Sequence, residues 1–322
     1  MGTSETYRVF ATDWARGASP RYEDWSLGVA DDAELVALLD ELPAPKRQPN
    51  LLFASARLLG VPLRPWHEVR PWLLARWPDV RAEMLARATQ TNEPGRCATL
   101  LPFLAAVEGP VALIEVGASA GLTLYPDRYS YEYVSPDGVR RIDPADGPSP
   151  VVLRCEVPSF DGLPSSLPEV VWRAGIDLNP LDVTDPGDLA WLEALIWPEH
   201  EDRADRLRHA AAIAAADPPH VVRDDLNDAL AALVSEAPEG ATVVVQHSAV
   251  LVYLTPEDRA WFVEQVGSLG VTWLSNEDPL VLPDVAARLP EGVDPAGRFL
   301  LARDGVPVGL AEPHGRALRL LG

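Results

Sequence analysis

Val111-Ala-Leu-Ile-Glu-Val-Gly-Ala-Ser-Ala-Gly-Leu122 is the stretch on which the fold turns. Val111 to Ile114 form a short apolar run, the composition of a strand buried on both faces of a parallel sheet. Glu115 ends the run, and Gly117, Ser119 and Gly121 follow at alternate positions with Ala118 and Ala120 between them. Small residues in that order let the chain turn sharply and let a ligand approach the backbone. One chemistry for the pattern is a loop that cradles a nucleoside-type cofactor against a helix N-terminus, with a carboxylate at the strand end. Another is the nucleophile elbow of a hydrolase, because Gly117-Ala-Ser119-Ala-Gly121 is G-x-S-x-G with Ser119 as nucleophile. The bland alternative is a tight strand-to-helix turn with no ligand.

Downstream, the helix expected after Gly121 is cut short by Pro126. Residues 129–142 read as a hairpin around Pro136-Asp-Gly138, and a proline-rich segment follows. Regular alternation then resumes. Strands are expected at Val170–Ile176, His220–Arg223, Thr242–Val245 and Val271–Leu274. They end in Asp177-Leu-Asn-Pro180, Asp224-Asp225, Gln246-His-Ser248 and Asn276-Glu277. Helices are expected within Leu189–Ala216 (interrupted at Pro198), at Ala229–Val234, and at Pro256–Val266 behind a Thr255 cap. Arg298–Arg303 and Ala317–Leu321 flank turn-rich sequence and suggest an antiparallel closing pair. Strand, polar end, helix, several times over, predicts an α/β fold with a doubly wound parallel sheet. Right-handed crossovers put the polar strand ends on one edge, so Glu115, Asp177, Asp225, Gln246 and His247 would line one crevice.

Upstream, residues 1 to about 108 read as helical. Asp31–Asp40 and Leu51–Leu59 have helical spacing, and Trp66, Val69, Trp72, Leu73 and Trp77 form an apolar stripe that reads as core. Gln90-Thr-Asn-Glu-Pro-Gly-Arg-Cys97 is polar and dense ahead of an apolar helix at Ala98–Val107. Either Asn92 or Thr91 caps that helix, or the segment serves a site. The expected division is a helical cap at 1–108 and a sheet domain at 109–322 with an insertion at about 125–169.

Composition narrows the chemistry. A formal net charge of -21 argues against nucleic acid, which needs clustered Lys and Arg. Lys46 is the single lysine and sits in Pro43-Ala-Pro-Lys-Arg-Gln-Pro49, so neither a phosphate-loop lysine nor a Schiff-base lysine is placed. Two cysteines and six unpaired-spacing histidines give no metal motif. No apolar run approaches the ~20 residues of a membrane span, and the N-terminus lacks a signal-peptide pattern. The expected protein is cytoplasmic, with a small-molecule substrate and no nucleic-acid or membrane partner. Its oligomeric state stays open.

In an α/β-hydrolase several strands precede the elbow. Here the loop follows the first recognisable strand, and a nucleoside cofactor fits better. Asp177, ending the next strand, can hold a ribose diol. It lies 56 positions after Gly121, against roughly 20 in a dinucleotide fingerprint, and the insertion accounts for the excess. Ser119 in place of a middle glycine, with the closing antiparallel pair, favours S-adenosylmethionine over a dinucleotide.

Five stretches carry a family resemblance: Gln90-Thr-Asn-Glu-Pro-Gly-Arg96, Glu115-Val-Gly-Ala-Ser-Ala-Gly121, Asp127-Arg-Tyr129, Gly175-Ile-Asp-Leu-Asn-Pro180 and His247-Ser-Ala-Val-Leu-Val-Tyr-Leu254. Together they resemble the bacterial domain-of-unknown-function family 2332, from Trp14-Ala-Arg-Gly-Ala-Ser-Pro20 to the last strands. Thr123 stands where that family usually has Asn, and Ser248 where it usually has Thr. The family is similar to class I S-adenosylmethionine-dependent methyltransferases. The resemblance therefore implies a Rossmann-like class I methyltransferase sheet with an all-helical N-terminal region. It implies cofactor contacts from Glu115, Gly117, Ala118, Ser119, Gly121, Asp177, Asn179, Asp225, Leu226 and Gln246. Gln246-His247 would face the methyl group, with His247 as general base. Gln90, Asn92, Glu93 and Arg96 would lie on the substrate side. The alternatives are a non-catalytic nucleoside-binding protein and, behind it, the Ser119 hydrolase.

Overall fold

The computed structural model describes residues 2–90 and 92–321. The chain forms two compact units, one of residues 1–91 with 184–205 and the other of residues 92–183 with 206–322. In sequence the units divide at 91/92, 183/184 and 205/206. The helical segment at 184–205 belongs with the N-terminal unit.

The first unit holds α1 (Thr3–Val9), α2 (Pro20–Asp31), α3 (Ala33–Asp40), α4 (Pro49–Leu58), α5 (Trp66–Ala75) and α6 (Trp77–Ala86). Local chemistry sets the starts. Ser19 accepts the Tyr22 amide with Pro20 at the first helical position, and Asp32 accepts the Glu34 and Leu35 amides. The core is aromatic, with Tyr22 and Trp25 against Phe53 at ring separations of 4.8 and 5.5 Å. Of the expected stripe, Val69, Leu73 and Trp77 are buried, while Trp66 and Trp72 are half-buried. After α7 (Cys97–Leu104) of the second unit, α8 (Pro186–Leu195) returns to the first, and α9 (Glu201–Ala216) contributes to both.

The second unit is built on an eight-stranded mixed sheet. In chain order its strands are β1 (Val111–Val116), then the excursion β2 (Ser130–Ser135), β3 (Gly138–Ile142) and β4 (Val152–Glu156). Then come β5 (Val170–Asp177), β6 (His220–Arg223), β7 (Thr242–Ser248), β8 (Thr272–Glu277), β9 (Phe299–Arg303), β10 (Val306–Ala311) and β11 (Leu318–Leu320). The main sheet runs β11-β10-β9-β8-β7-β1-β5-β6, while β3-β2-β4 form a small separate sheet. β6, β5, β1, β7 and β8 are mutually parallel, and β9 to β11 are antiparallel additions. The expected closing pair is therefore a meander, because residues 306–311 form a strand between the two segments that were expected to pair.

On one face of the sheet Ile114, Val116, Ala174, Ile176 and Val245 pack with Leu230 of α10 (Leu226–Ser235) and Phe262 and Val266 of α11 (Pro256–Ser268). Side chains alternate along a strand, so Glu115, Arg173 and Gln246 fall on the other face, and all three are buried. β7 continues through Gln246, His247 and Ser248, which lie within the strand rather than beyond it.

No long helix follows Gly121. A single 3₁₀ turn at Leu122–Leu124 leads into the small sheet. Pro126 blocks helix continuation, and buried tyrosines fix the alternative path. Tyr125, Tyr129, Tyr131 and Tyr133 are each 0% exposed, and each hydroxyl donates to a backbone carbonyl, of Asp217, Leu122, Pro126 and Ala98 respectively. Arg173 of β5 clamps the path with a bidentate pair to Asp127 at 2.8 and 2.7 Å. Among the described residues no helix is long and apolar enough to cross a membrane.

Candidate functional site at the carboxyl edge of the sheet

The strand order reverses between β1 and β7, since β1 is followed in the sheet by β5 on one side and by β7 on the other. In open α/β sheets that reversal opens a crevice at the carboxyl ends of the strands. Here the 117–121 loop and the loop after β7 stand at that reversal. Each loop holds one non-glycine residue in the left-handed region, Ser119 at φ 51° and Ala249 at φ 57°. Such backbone is costly and clusters at functional sites.

The 117–121 loop is bonded mainly to β5. The amides of Gly117 and Ala118 donate to the Ile176 carbonyl at 2.8 and 3.1 Å. The Ser119 amide donates to the Asp177 carboxylate at 2.8 Å, and the Asn179 amide to its other oxygen at 2.8 Å. Gly121 donates to Ala118, and Leu122 to the Asn92 side chain. The amides that would cradle a phosphate are thus engaged within the protein. Gly175 is required beneath the loop, because a Cβ there would fall 2.5 Å from that of Ala118.

Gly117 and Gly121 both have positive φ, 71° and 69°. Their exposed faces are covered by side chains. A Cβ on Gly117 would meet Val250 at 2.3 Å, and one on Gly121 would meet Pro219 at 2.8 Å. Asp177 is half-buried and Asn179 exposed, so the carboxyl end of β5 is accessible.

Glu115 lies under the loop rather than in front of it. It is 5% exposed, one oxygen accepts the Thr123 hydroxyl, and the other has no hydrogen-bond partner. Burial pushes its carboxyl up to about 8, with the Thr123 bond and Arg96 opposing the shift. Its register neighbour Gln246 is fully buried and donates to the Thr123 carbonyl at 3.2 Å. Both side chains are buried beneath the loop and bonded to Thr123.

His247 is enclosed as well. It is 0% exposed and points to the α11 face. The Trp273 indole N–H donates to Nε2 at 2.9 Å, and Nδ1 lies 2.7 Å from Glu277. An indole only donates, so Nε2 is the acceptor and Nδ1 carries the proton toward the carboxylate. A ring held this way has no lone pair for a substrate proton. Glu277 also accepts the Val250 and Leu251 amides, at 2.9 and 3.1 Å, so it fixes the loop that carries Val250.

Residues 92–96 brace the two loops. The Asn92 amide donates to the Ala118 carbonyl at 3.0 Å and accepts the Leu122 amide at 2.7 Å, spanning the loop. Glu93 accepts from Gly95 and Arg206, both at 3.0 Å. Arg96 donates to the carbonyls of Ser248 at 2.9 Å and Pro313 at 3.1 Å. Gln90 falls in the other unit, and Thr91 lies outside the described residues. At β6, Asp225 caps α10 by accepting the Asn227 amide at 2.8 Å, and Leu226 packs into the core instead of lining a ligand surface. Ser119 Oγ is buried without a hydrogen-bond partner, so the hydrolase alternative has no histidine in place to activate it.

A family described as uncharacterized protein conserved in bacteria (DUF2332) matches residues 4–319. The chain belongs to this family. No curated protein and no solved structure matches the chain. The family's quoted stretches converge in the second unit, where 92–96, 115–121, 175–180 and 247–254 surround the reversal of strand order. Glu277, Trp273 and Thr123 share in that network, and none of them was given a site role from sequence. The one available signal was Glu277 ending a strand in Asn276-Glu277.

Proposed function

We propose that the chain binds S-adenosylmethionine at the carboxyl edge between β5, β1 and β7, on a Rossmann-like sheet, and acts as a methyltransferase on a small molecule. The observation that carries this reading is the Asp177 carboxylate standing on the small-residue loop at the end of the strand next to β1. That is where a ribose diol is held in nucleoside-binding sheets. The engagement of the loop amides with Ile176 and Asp177 favours a nucleoside without phosphates over a dinucleotide.

The fit is unequal along the crevice. Asp177 and Asn179 are accessible and suit a ribose, while Val250 covers Gly117, where the rest of the cofactor would run. Binding of the whole molecule therefore requires the loop after β7 to shift. When bound, the sulfonium supplies an electrophilic methyl group. Asp177 would orient the nucleoside, and the loop after β7 would exclude water once reseated.

The lock on His247 favours a second reading, nucleoside binding without transfer, because the site then offers no histidine base. Thermal denaturation with S-adenosylmethionine, adenosine and NAD tests the site. The first two should raise the melting temperature by mass action, and NAD should not. A shift with NAD alone would refute the reading.

A further inference from the structure

We propose that Glu115 carries a proton on Oε2 and donates it to Gln246 Oε1, an acid–amide hydrogen bond that ties β1 to β7 where the strand order reverses. The two residues are register partners on adjacent parallel strands, which stand about 4.8 Å apart. Their side chains therefore leave the sheet on the same face. Both then reach Thr123. Its hydroxyl donates to Glu115 Oε1, and its carbonyl accepts from Gln246 Nε2 at 3.2 Å. One residue thus holds the carboxyl and the carboxamide beside each other.

Each group has one oxygen left over. Glu115 Oε2 and Gln246 Oε1 are buried, and neither has a hydrogen-bond partner. The amide cannot be turned to present its nitrogen instead, because its oxygen would then face the Thr123 carbonyl. An amide oxygen and an ionised carboxylate both only accept, so these two oxygens can satisfy each other only through a proton. Buried polar atoms are rarely left unpaired. One proton on Oε2 removes both exceptions at once.

The surrounding charges are engaged elsewhere or act against ionisation. Arg96 favours the carboxylate, but its guanidinium donates to the Ser248 and Pro313 carbonyls at 2.9 and 3.1 Å. Arg173 is paired with Asp127, and Glu93 with Arg206. Asp177 disfavours a second negative charge. On the α7 side the Cys97 thiol donates to the Thr123 carbonyl at 3.4 Å, and burial keeps it protonated. When Glu115 ionises, Oε2 confronts an amide oxygen and the tie is lost.

Infrared difference spectroscopy reads the proton directly, with no ligand, so its outcome is independent of the nucleoside site. Glu115→Gln keeps a donor toward Gln246 but cannot ionise, so subtracting its spectrum isolates the Glu115 carboxyl. The carboxylic-acid C=O band should be present in the unmodified chain near pH 7 and disappear as pH rises past about 8. Gln246→Met removes the accepting oxygen at similar volume and should lower the midpoint of that titration by about one pH unit. Gln246→Leu serves the same purpose if the methionine variant fails to fold. An ionised Glu115 near pH 7, or an unmoved midpoint in a folded Gln246 variant, would overturn the proposal.

Discussion

Val250 lies directly over Gly117: a Cβ built on that glycine would fall 2.3 Å from a Val250 methyl. The loop after β1 and the loop after β7 are therefore interlocked at the reversal of strand order. Gly117→Ala should destabilise the chain by about 1 to 3 kcal/mol, from the positive φ of 71° and from the overlap. Adding Val250→Ala should recover part of that loss, giving a coupling of about 1 kcal/mol in a urea double-mutant cycle. Strict additivity would mean that the two loops do not share the contact.

Glu115 makes stability depend on pH. Burial raises its carboxyl from 4.5 to about 8, so the folded state keeps a proton that the unfolded chain releases. Its contribution is fully present below 4.5, falls as pH rises, and is lost once pH has passed about 8. Glu115→Gln should match the unmodified chain near pH 4 and exceed it at pH 9 by about 3 to 5 kcal/mol. Parallel stability curves for the two proteins would place the titration elsewhere.

Asn92→Ala should leave the Ala118 carbonyl and the Leu122 amide without their side-chain partner. The expected loss is about 2 to 4 kcal/mol, with faster proteolysis within 117–122. A variant that loses binding or activity but no stability would return Asn92 to a substrate role.

His247→Phe removes the ring that links Trp273 to Glu277, leaving the buried indole N–H unpaired and the carboxylate with the Val250 and Leu251 amides alone. Losing these bonds costs about 1 to 3 kcal/mol, which chemical denaturation will read. A variant as stable as the parent would free His247 for the catalytic part expected from its position.

What the sequence made legible was local. The His220–Arg223 strand, the Thr255 cap and the hairpin expected within 129–142 depend on periodicity, one hydroxyl and one turn, and each forms there, the hairpin over 130–142. The 117–121 turn was legible for the same reason. The partners that decide what the site residues do lie far along the chain. Asn92 is set by Leu122, 30 residues on, and His247 by Trp273 and Glu277, 26 and 30 residues on. No local pattern reports such pairing. The helical turn after Gly121 is cut short at Pro126 as expected, but the path beyond it is anchored by four tyrosines, through bonds to carbonyls as distant as Asp217.

The nucleoside site is tested most directly by calorimetric titration of the unmodified chain and Asp177→Ala with S-adenosylmethionine and its demethylated product. The account predicts saturable 1:1 binding of both ligands to the parent, weakened by about 2 to 4 kcal/mol in the variant. No binding of either ligand to the parent, or equal binding to both proteins, would contradict it.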